Sequence, residues 1–212
     1  MECGKKVKEA KDAFIKQKEE EYVRKRLHEM VEKNKKALPD SGVPRRFADK
    51  GFADYKVFSE RDRKNLKSII EFSEKRENDG TLLLMGPAGS GKTHLGCAVL
   101  HGEKGWYCKN KDINAEFAGA LDFRSEVKTA GLIRHFKTVP MLIVDEIGYS
   151  GNEKFECLKS ILMDRYDGKL PTVLITCLGK KDIVQKLGNS VFRRLKETCF
   201  SVTLEDSFRH EK

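Results

Sequence analysis

The 212-residue sequence predicts an α/β architecture of three layers, with a central parallel five-stranded sheet and a helical extension at its N-terminus. The prediction rests on the second part of the chain. Beyond Gly80, short apolar runs alternate with helix-like stretches. A glycine-rich run joins the first of these strands to the helix after it, and the apolar run Met141 to Val144 ends on two acids, Asp145 and Glu146. When strands and helices alternate regularly, each helix crosses back over a face of the sheet, which makes the strands parallel and covers both sides.

The elements follow in order. From about Lys5 to Ala37 the chain is dense in Lys, Glu and Arg and free of proline and glycine, so helix is favoured. Val23, Leu27, Met30 and Val31 fall at helical spacing, and Phe14 and Tyr22 extend the apolar material into a narrow stripe on a charged rod. Such a stripe suits either packing back on its own domain or docking into a partner's groove, and residues 1–38 are expected to form a partner-binding arm. The run Leu38-Pro39-Asp40-Ser41-Gly42-Val43-Pro44-Arg45-Arg46 ends the helix and opens a linker over 39–50; the core domain is expected over 51–212. Ser59 caps a helix carrying Leu66, Ile69, Ile70 and Phe72. Strands are expected at Thr81–Met85, Trp106–Cys108, Met141–Asp145, Thr172–Cys177 and Phe200–Leu204. The helices between them include Lys92–Leu100, Asp112–Leu121, Ser125–Phe136, Glu153–Tyr166 and Lys181–Leu187.

Composition bounds the function. Hydrophobic residues make up 39% and charged residues 35%, enough for one core inside a charged surface, which excludes a disordered chain. The net charge of +9 fits an anionic partner without deciding which. No apolar run approaches the roughly 18 residues of a membrane span. The six cysteines are scattered and include no C-x-x-C pair, so neither a zinc module nor a disulfide framework is indicated, and a cytoplasmic location is expected.

Gly86-Pro87-Ala88-Gly89-Ser90-Gly91-Lys92-Thr93 is a full G-x-x-x-x-G-K-[ST] motif between an apolar strand and a helix. Its glycines let the backbone curl so that amides face phosphate oxygens, and the helix start adds the positive end of its dipole. Lys92 is expected to reach the β and γ phosphates, and the Thr93 hydroxyl to ligate Mg²⁺. At the tip of the acid-ended strand, Asp145 would hold the metal's hydration shell, and Glu146 would accept the proton of an attacking water. An acid pair of this kind favours hydrolysis over phosphoryl transfer to a metabolite.

With these residues in place the sequence resembles the AAA+ ATPases, and among them the bacterial replicative helicase loaders of the DnaC and DnaI type and the related IstB-like transposition ATPases. The resemblance runs from Ser41 to the C-terminus. It is carried by Ser41-Gly42-Val43-Pro44-Arg45-Arg46-Phe47, by the phosphate loop continuing into His94-Leu95, and by Val144-Asp145-Glu146-Ile147-Gly148. It continues in Pro171-Thr172-Val173-Leu174-Ile175-Thr176 and Leu187-Gly188-Asn189-Ser190-Val191-Phe192-Arg193-Arg194-Leu195. The resemblance implies a P-loop NTPase fold without a separate lid domain. It implies nucleotide contacts from Gly86 through His94, catalysis by Lys92 and Glu146, and an arginine finger at Arg194 (Arg193 as substitute) that acts on the neighbouring subunit. Arg209, in Glu205-Asp206-Ser207-Phe208-Arg209, would contact nucleotide in cis. Where the family has a polar first sensor, often Asn, this chain has Thr176-Cys177-Leu178; Thr176 could substitute, Cys177 is a poor donor, and hydrolysis is expected to be slow. The stretch Lys109 to Val139, with Phe117, Phe123, Arg124, Lys128, Arg134 and Lys137, sits where such ATPases face single-stranded DNA.

The implied function is an ATP-dependent loader that binds a hexameric replicative helicase through its arm, self-associates through its ATPase core and places the helicase on single-stranded DNA. Alternatives are a transposition helper ATPase, a P-loop small-molecule kinase in which Arg193 and Arg194 close over the donor in cis, and a non-hydrolysing DNA-binding adaptor.

Overall fold

The structure is a computed structural model that describes residues 41–75, 80–101, 104–119, 133–149 and 154–205. The expected arm, Arg209, Phe123, Arg124 and Lys128 lie outside the described residues. Helix α1 (Glu60–Glu74) begins where the sequence places it. Ser59 Oγ accepts the Asp62 amide at 3.0 Å, and Asp62 Oδ2 accepts the Ser59 amide at 3.0 Å, a reciprocal cap that satisfies both ends of the first turn.

The strands are β1 (Thr81–Met85), β2 (Gly105–Lys109), β3 (Met141–Ile147), β4 (Thr172–Thr176) and β5 (Cys199–Thr203). They form a five-stranded sheet in the order β2-β3-β4-β1-β5, every pair parallel. The intervening helices are α2 (Lys92–Leu100), α3 (Asn110–Gly119), α4 (133–138), α5 (Glu156–Asp167), α6 (Lys180–Leu187) and α7 (Asn189–Thr198). The last is not among the helices that the sequence pattern marks out; Val191 and Leu195, one turn apart, bury its inner face.

The two-residue strand period divides the sheet's side chains between two cores. Leu82, Leu84, Ile143, Val173 and Ile175 pack under α1 and α2, with Leu66, Ile69, Leu95 and Val99. Leu83, Met85, Leu142, Val144 and Leu174 face the opposite layer of α3 to α7, with Ile113, Leu158, Ile161, Ile183 and Leu195. Each buried aliphatic chain of this size contributes about 1.5–3 kcal/mol. Residues 41–50, expected as a linker, lie along this core: Ser41 O accepts the Tyr107 amide at 2.8 Å on the outer edge of β2.

At the N-terminal end of the sheet, the guanidinium of Arg165 is buried and, among the described residues, pairs with no carboxylate. Its Nε donates to Thr172 Oγ1 at 2.8 Å, Nη1 to Phe136 O at 3.0 Å and Val139 O at 2.7 Å, and Nη2 to Pro171 O at 2.7 Å. Burial pulls its pKa down to about 10, which leaves it charged at neutral pH. One side chain thus ties together the loops that feed β3 and β4.

Candidate nucleotide site

The glycine-rich run leaves β1 and turns into α2 at the C-terminal end of the sheet. Gly89 and Gly91 adopt φ of 84° and 85°, a region that L side chains rarely enter, so the loop folds back and α2 starts at Lys92 with its N-terminus aimed into the cleft. Lys92 is nearly buried; its Nζ donates to Pro87 O and to Ser90 Oγ, the latter at 3.3 Å, which holds the ammonium inside the curl of the loop.

Thr93, one residue into the helix, reaches across to β3. Its Oγ1 donates to Asp145 Oδ2 at 2.7 Å, and the same oxygen accepts the Tyr107 hydroxyl at 2.9 Å. Asp145 Oδ1 accepts the Glu146 amide at 2.6 Å. A hydroxyl and a carboxylate joined at the mouth of a phosphate loop form the hard oxygen set that Mg²⁺ prefers, so Thr93 and Asp145 could hold it with the phosphates. Burial and the adjacent Asp145 charge push the Tyr107 phenol well above its ordinary pKa, and it remains a donor.

Glu146 has a different neighbour. Its Oε1 lies 2.6 Å from Lys109 Nζ, an ion pair from the end of β2, and the hydrogen bond to Glu146 raises the lysine's pKa. Glu146 also has a φ of 57°, and the β3–β4 pairing slips by one residue between Val144 and Ile147. A bulge at the two acids redirects Glu146, as such bulges do beside functional sites.

These groups share a cleft of about 490 Å³ whose walls include Gly89, Lys92, Thr93, His94, Asp145, Glu146, Thr176 and Cys177. Residues from before the core close one end of it. Arg46 and Phe47 line the cleft, the Arg46 guanidinium lying 4.4 Å above the Phe47 ring. Phe47 stacks on His94 at 6.2 Å, His94 Nε2 is 2.9 Å from Gly51 O, and the Tyr55 hydroxyl donates to Ser90 O at 3.4 Å.

Most of the residues singled out from the sequence therefore meet. Gly86, Pro87, Ala88, Gly89, Ser90, Gly91, Lys92, Thr93 and His94 form the loop and first turn, facing Asp145 and Glu146. Two do not join them. Arg194 is exposed on α7, where its Nη1 reaches Met163 Sδ at 3.5 Å, and neither it nor Arg193 lines the cleft of its own chain. Thr176 is at the cleft but not free to substitute as a sensor: its Oγ1 donates to Ile147 O at 2.7 Å and accepts the Leu178 amide at 3.0 Å. Tyr107, Lys109 and Tyr55 are site residues that the sequence reading passed over. The signal for Tyr107 and Lys109 is positional, since β2 pairs Lys109 with Asp145, and that pairing follows from strand order alone.

Comparison with known proteins agrees with the geometry. A curated relative, the replicative helicase loader DnaC of Buchnera aphidicola subsp. Acyrthosiphon pisum (strain APS), is 26% identical over 172 residues, covering 77% of this chain and 70% of that protein. The ATP-binding protein of insertion sequence IS232 from Bacillus thuringiensis subsp. berliner is 28% identical over 147 residues, 62% of this chain and 56% of its own length. Among solved structures, the DnaC helicase loader superposes with a TM-score of 0.67 at 21% identity, covering 76% of this chain and 99% of that one. DnaI gives a TM-score of 0.65 at 17% identity, covering 77% and 95%. These likenesses place the fold among P-loop AAA+ domains. The family model described as IstB-like ATP binding protein matches residues 12–210, a span that contains the phosphate loop, the acid pair and α7, and the chain belongs to that family.

Proposed function

We propose that this protein is an ATP-hydrolysing loader that engages a hexameric replicative helicase through its first 38 residues and helps place it on single-stranded DNA in the cytoplasm. The observation that carries the reading is the meeting of Thr93 and Asp145 across the mouth of the phosphate loop, with Glu146 adjacent, in a chain 26% identical to a replicative helicase loader over 77% of its length. The loop amides and Lys92 would hold the β and γ phosphates. Bound Mg²⁺, held by Thr93 and Asp145, would supply charge neutralisation at the phosphates. Glu146 would orient the attacking water and accept its proton once parted from Lys109. The exposed Arg194, away from its own cleft, fits a finger offered to a neighbouring subunit and not a cis closure of the kinase type. Self-association through the ATPase core would then couple hydrolysis to assembly, and Arg209 would contact the nucleotide in cis.

A second reading, a transposition helper of the same ATPase core, is favoured by the family description and by the 28% identity to an insertion-sequence protein. Affinity capture with the full chain separates the two: recovery of a replicative helicase supports the first, of a transposase the second. Calorimetry on the full chain with helicase and single-stranded DNA present should register ATP uptake that Lys92→Ala abolishes and Glu146→Gln retains. No uptake by the wild type would refute both readings.

A further inference from the structure

Tyr107 touches the site from outside its motifs and faces two ways. Its ring is buried in the core beneath α1 and α2, and its hydroxyl donates to Asp145 Oδ2 at 2.9 Å, the oxygen that Thr93 also uses. With the Glu146 amide on Oδ1, three donors fix the carboxylate's orientation, and Tyr107 is the one that comes from neither motif. On its backbone side, the Tyr107 amide donates to Ser41 O at 2.8 Å, on the edge of the sheet. Gly42 follows with a φ of 71°, packed so tightly that a Cβ there would lie 2.4 Å from Tyr107 O. One residue thus connects the segment entering from the N-terminal part of the chain to the carboxylate facing Thr93.

We propose that Tyr107 is a positioning residue for Asp145 that sets the site's affinity for the divalent cation accompanying the nucleotide, and that the Ser41–Gly42 attachment transmits its own backbone position to it. The proposal rests on the reading of the cleft as a metal–nucleotide site. A carboxylate binds a metal well only when its free lone pair is aimed at the ion, and groups that hydrogen-bond a ligating carboxylate fix that aim. Their loss typically weakens metal affinity by about 10- to 100-fold.

The test uses the full chain and a fluorescent ATP analogue, with binding measured first in EDTA and then across an MgCl₂ titration, and Mn²⁺ occupancy followed by electron paramagnetic resonance. Tyr107→Phe keeps the ring and its packing and removes only the donor. It should leave metal-free nucleotide affinity unchanged and raise the Mg²⁺ and Mn²⁺ midpoints about tenfold. Gly42→Ala cannot hold its φ against Tyr107 O and should shift the midpoints in the same direction with every cleft side chain intact. Wild-type midpoints in Tyr107→Phe would overturn the positioning role; wild-type midpoints in Gly42→Ala alone would overturn the transmission. A wild-type chain that binds no nucleotide with or without metal would remove the underlying site reading, and this proposal with it.

Discussion

On the proposed ATPase reading, Lys109→Met should speed basal hydrolysis, because among the described residues the Lys109 ammonium is paired at the cleft with Glu146. The Nζ–Oε1 distance is 2.6 Å, but the two side chains are 31% and 34% exposed, so the pair is partly screened. Partly exposed ion pairs contribute up to about 1 kcal/mol, and a charge-assisted hydrogen bond raises the figure towards about 1.5 kcal/mol. About 1 kcal/mol corresponds to a held-to-free ratio near 5 to 1. Releasing Glu146 should therefore raise the free fraction from about one sixth to one and kcat about sixfold with KM unchanged, provided that water activation limits the rate. Steady-state phosphate release at saturating MgATP measures it. Lys109→Arg should stay slow, and Lys109→Met combined with Glu146→Gln should be inactive. The pH profile gives an independent check. Lys109's pKa is raised above its ordinary value, so from neutrality upward the lysine side of the pair stays charged to about pH 10.4 and is lost only as pH climbs through the raised value. Wild type should then show no release step between neutrality and about pH 10. An unchanged or lower kcat in Lys109→Met would refute the reasoning, since Lys109 would then assist catalysis or be irrelevant to it.

The other predictions concern different parts of the fold. Arg165→Met keeps the apolar stem but takes the charged donor from Phe136 O, Val139 O and Pro171 O, of which Pro171 O still accepts the Leu142 amide at 3.3 Å. At about 1 kcal/mol for each carbonyl the loss is about 3 kcal/mol, a fall in Tm of about 6–12 °C by calorimetry; a fall below about 2 °C would refute it. Cys177→Asn places an amide donor on the exposed cleft residue next to the committed Thr176 hydroxyl and should raise kcat about tenfold with KM unchanged. For the same reason maleimide should label Cys177 ahead of the buried Cys97, Cys108 and Cys157, and ATP should protect it; labelling indifferent to ATP, read by mass spectrometry, would remove Cys177 from the site.

How much was legible in the sequence divides along the distinction between local and long-range information. The phosphate loop, the Ser59 cap and the acid pair are written in consecutive residues, and each lies where its own chemistry puts it. Strand ends moved by a residue or two, as at Gly105 and Ile147, because pairing extends strands past their apolar runs. Lys109 and Tyr107 carry no local signature. They become site residues only because β2 pairs with β3, a fact of strand order and not of pattern. Thr176 is the opposite case, a suitable side chain whose proton is already spent on Ile147 O. Helix α7 went unmarked because only Val191 and Leu195 on its inner face are buried, while polar residues dominate its surface.

Strand order also explains why the acid pair needs its bulge. In the order β2-β3-β4-β1-β5, β4 stands between the strand that carries the phosphate loop and the one that carries the acids. The cleft therefore spans the tip of β4, and Thr176 and Cys177 line it whatever their chemistry. In a regular strand Asp145 and Glu146, being neighbours, would point to opposite faces, and only one could serve the cleft. Ile143 lies on the α1–α2 side, so Asp145 follows it toward Thr93; by the same alternation Glu146 would join Leu142 and Val144 in the opposite core. The extra residue in β3 gives that buried place to Ile147 and turns Glu146, at a φ of 57°, out toward Lys109 and the cleft. A carboxylate that would otherwise be buried without a partner is thereby exchanged for an isoleucine, and the strained backbone at Glu146 is the cost of having two adjacent acids serve a single cleft.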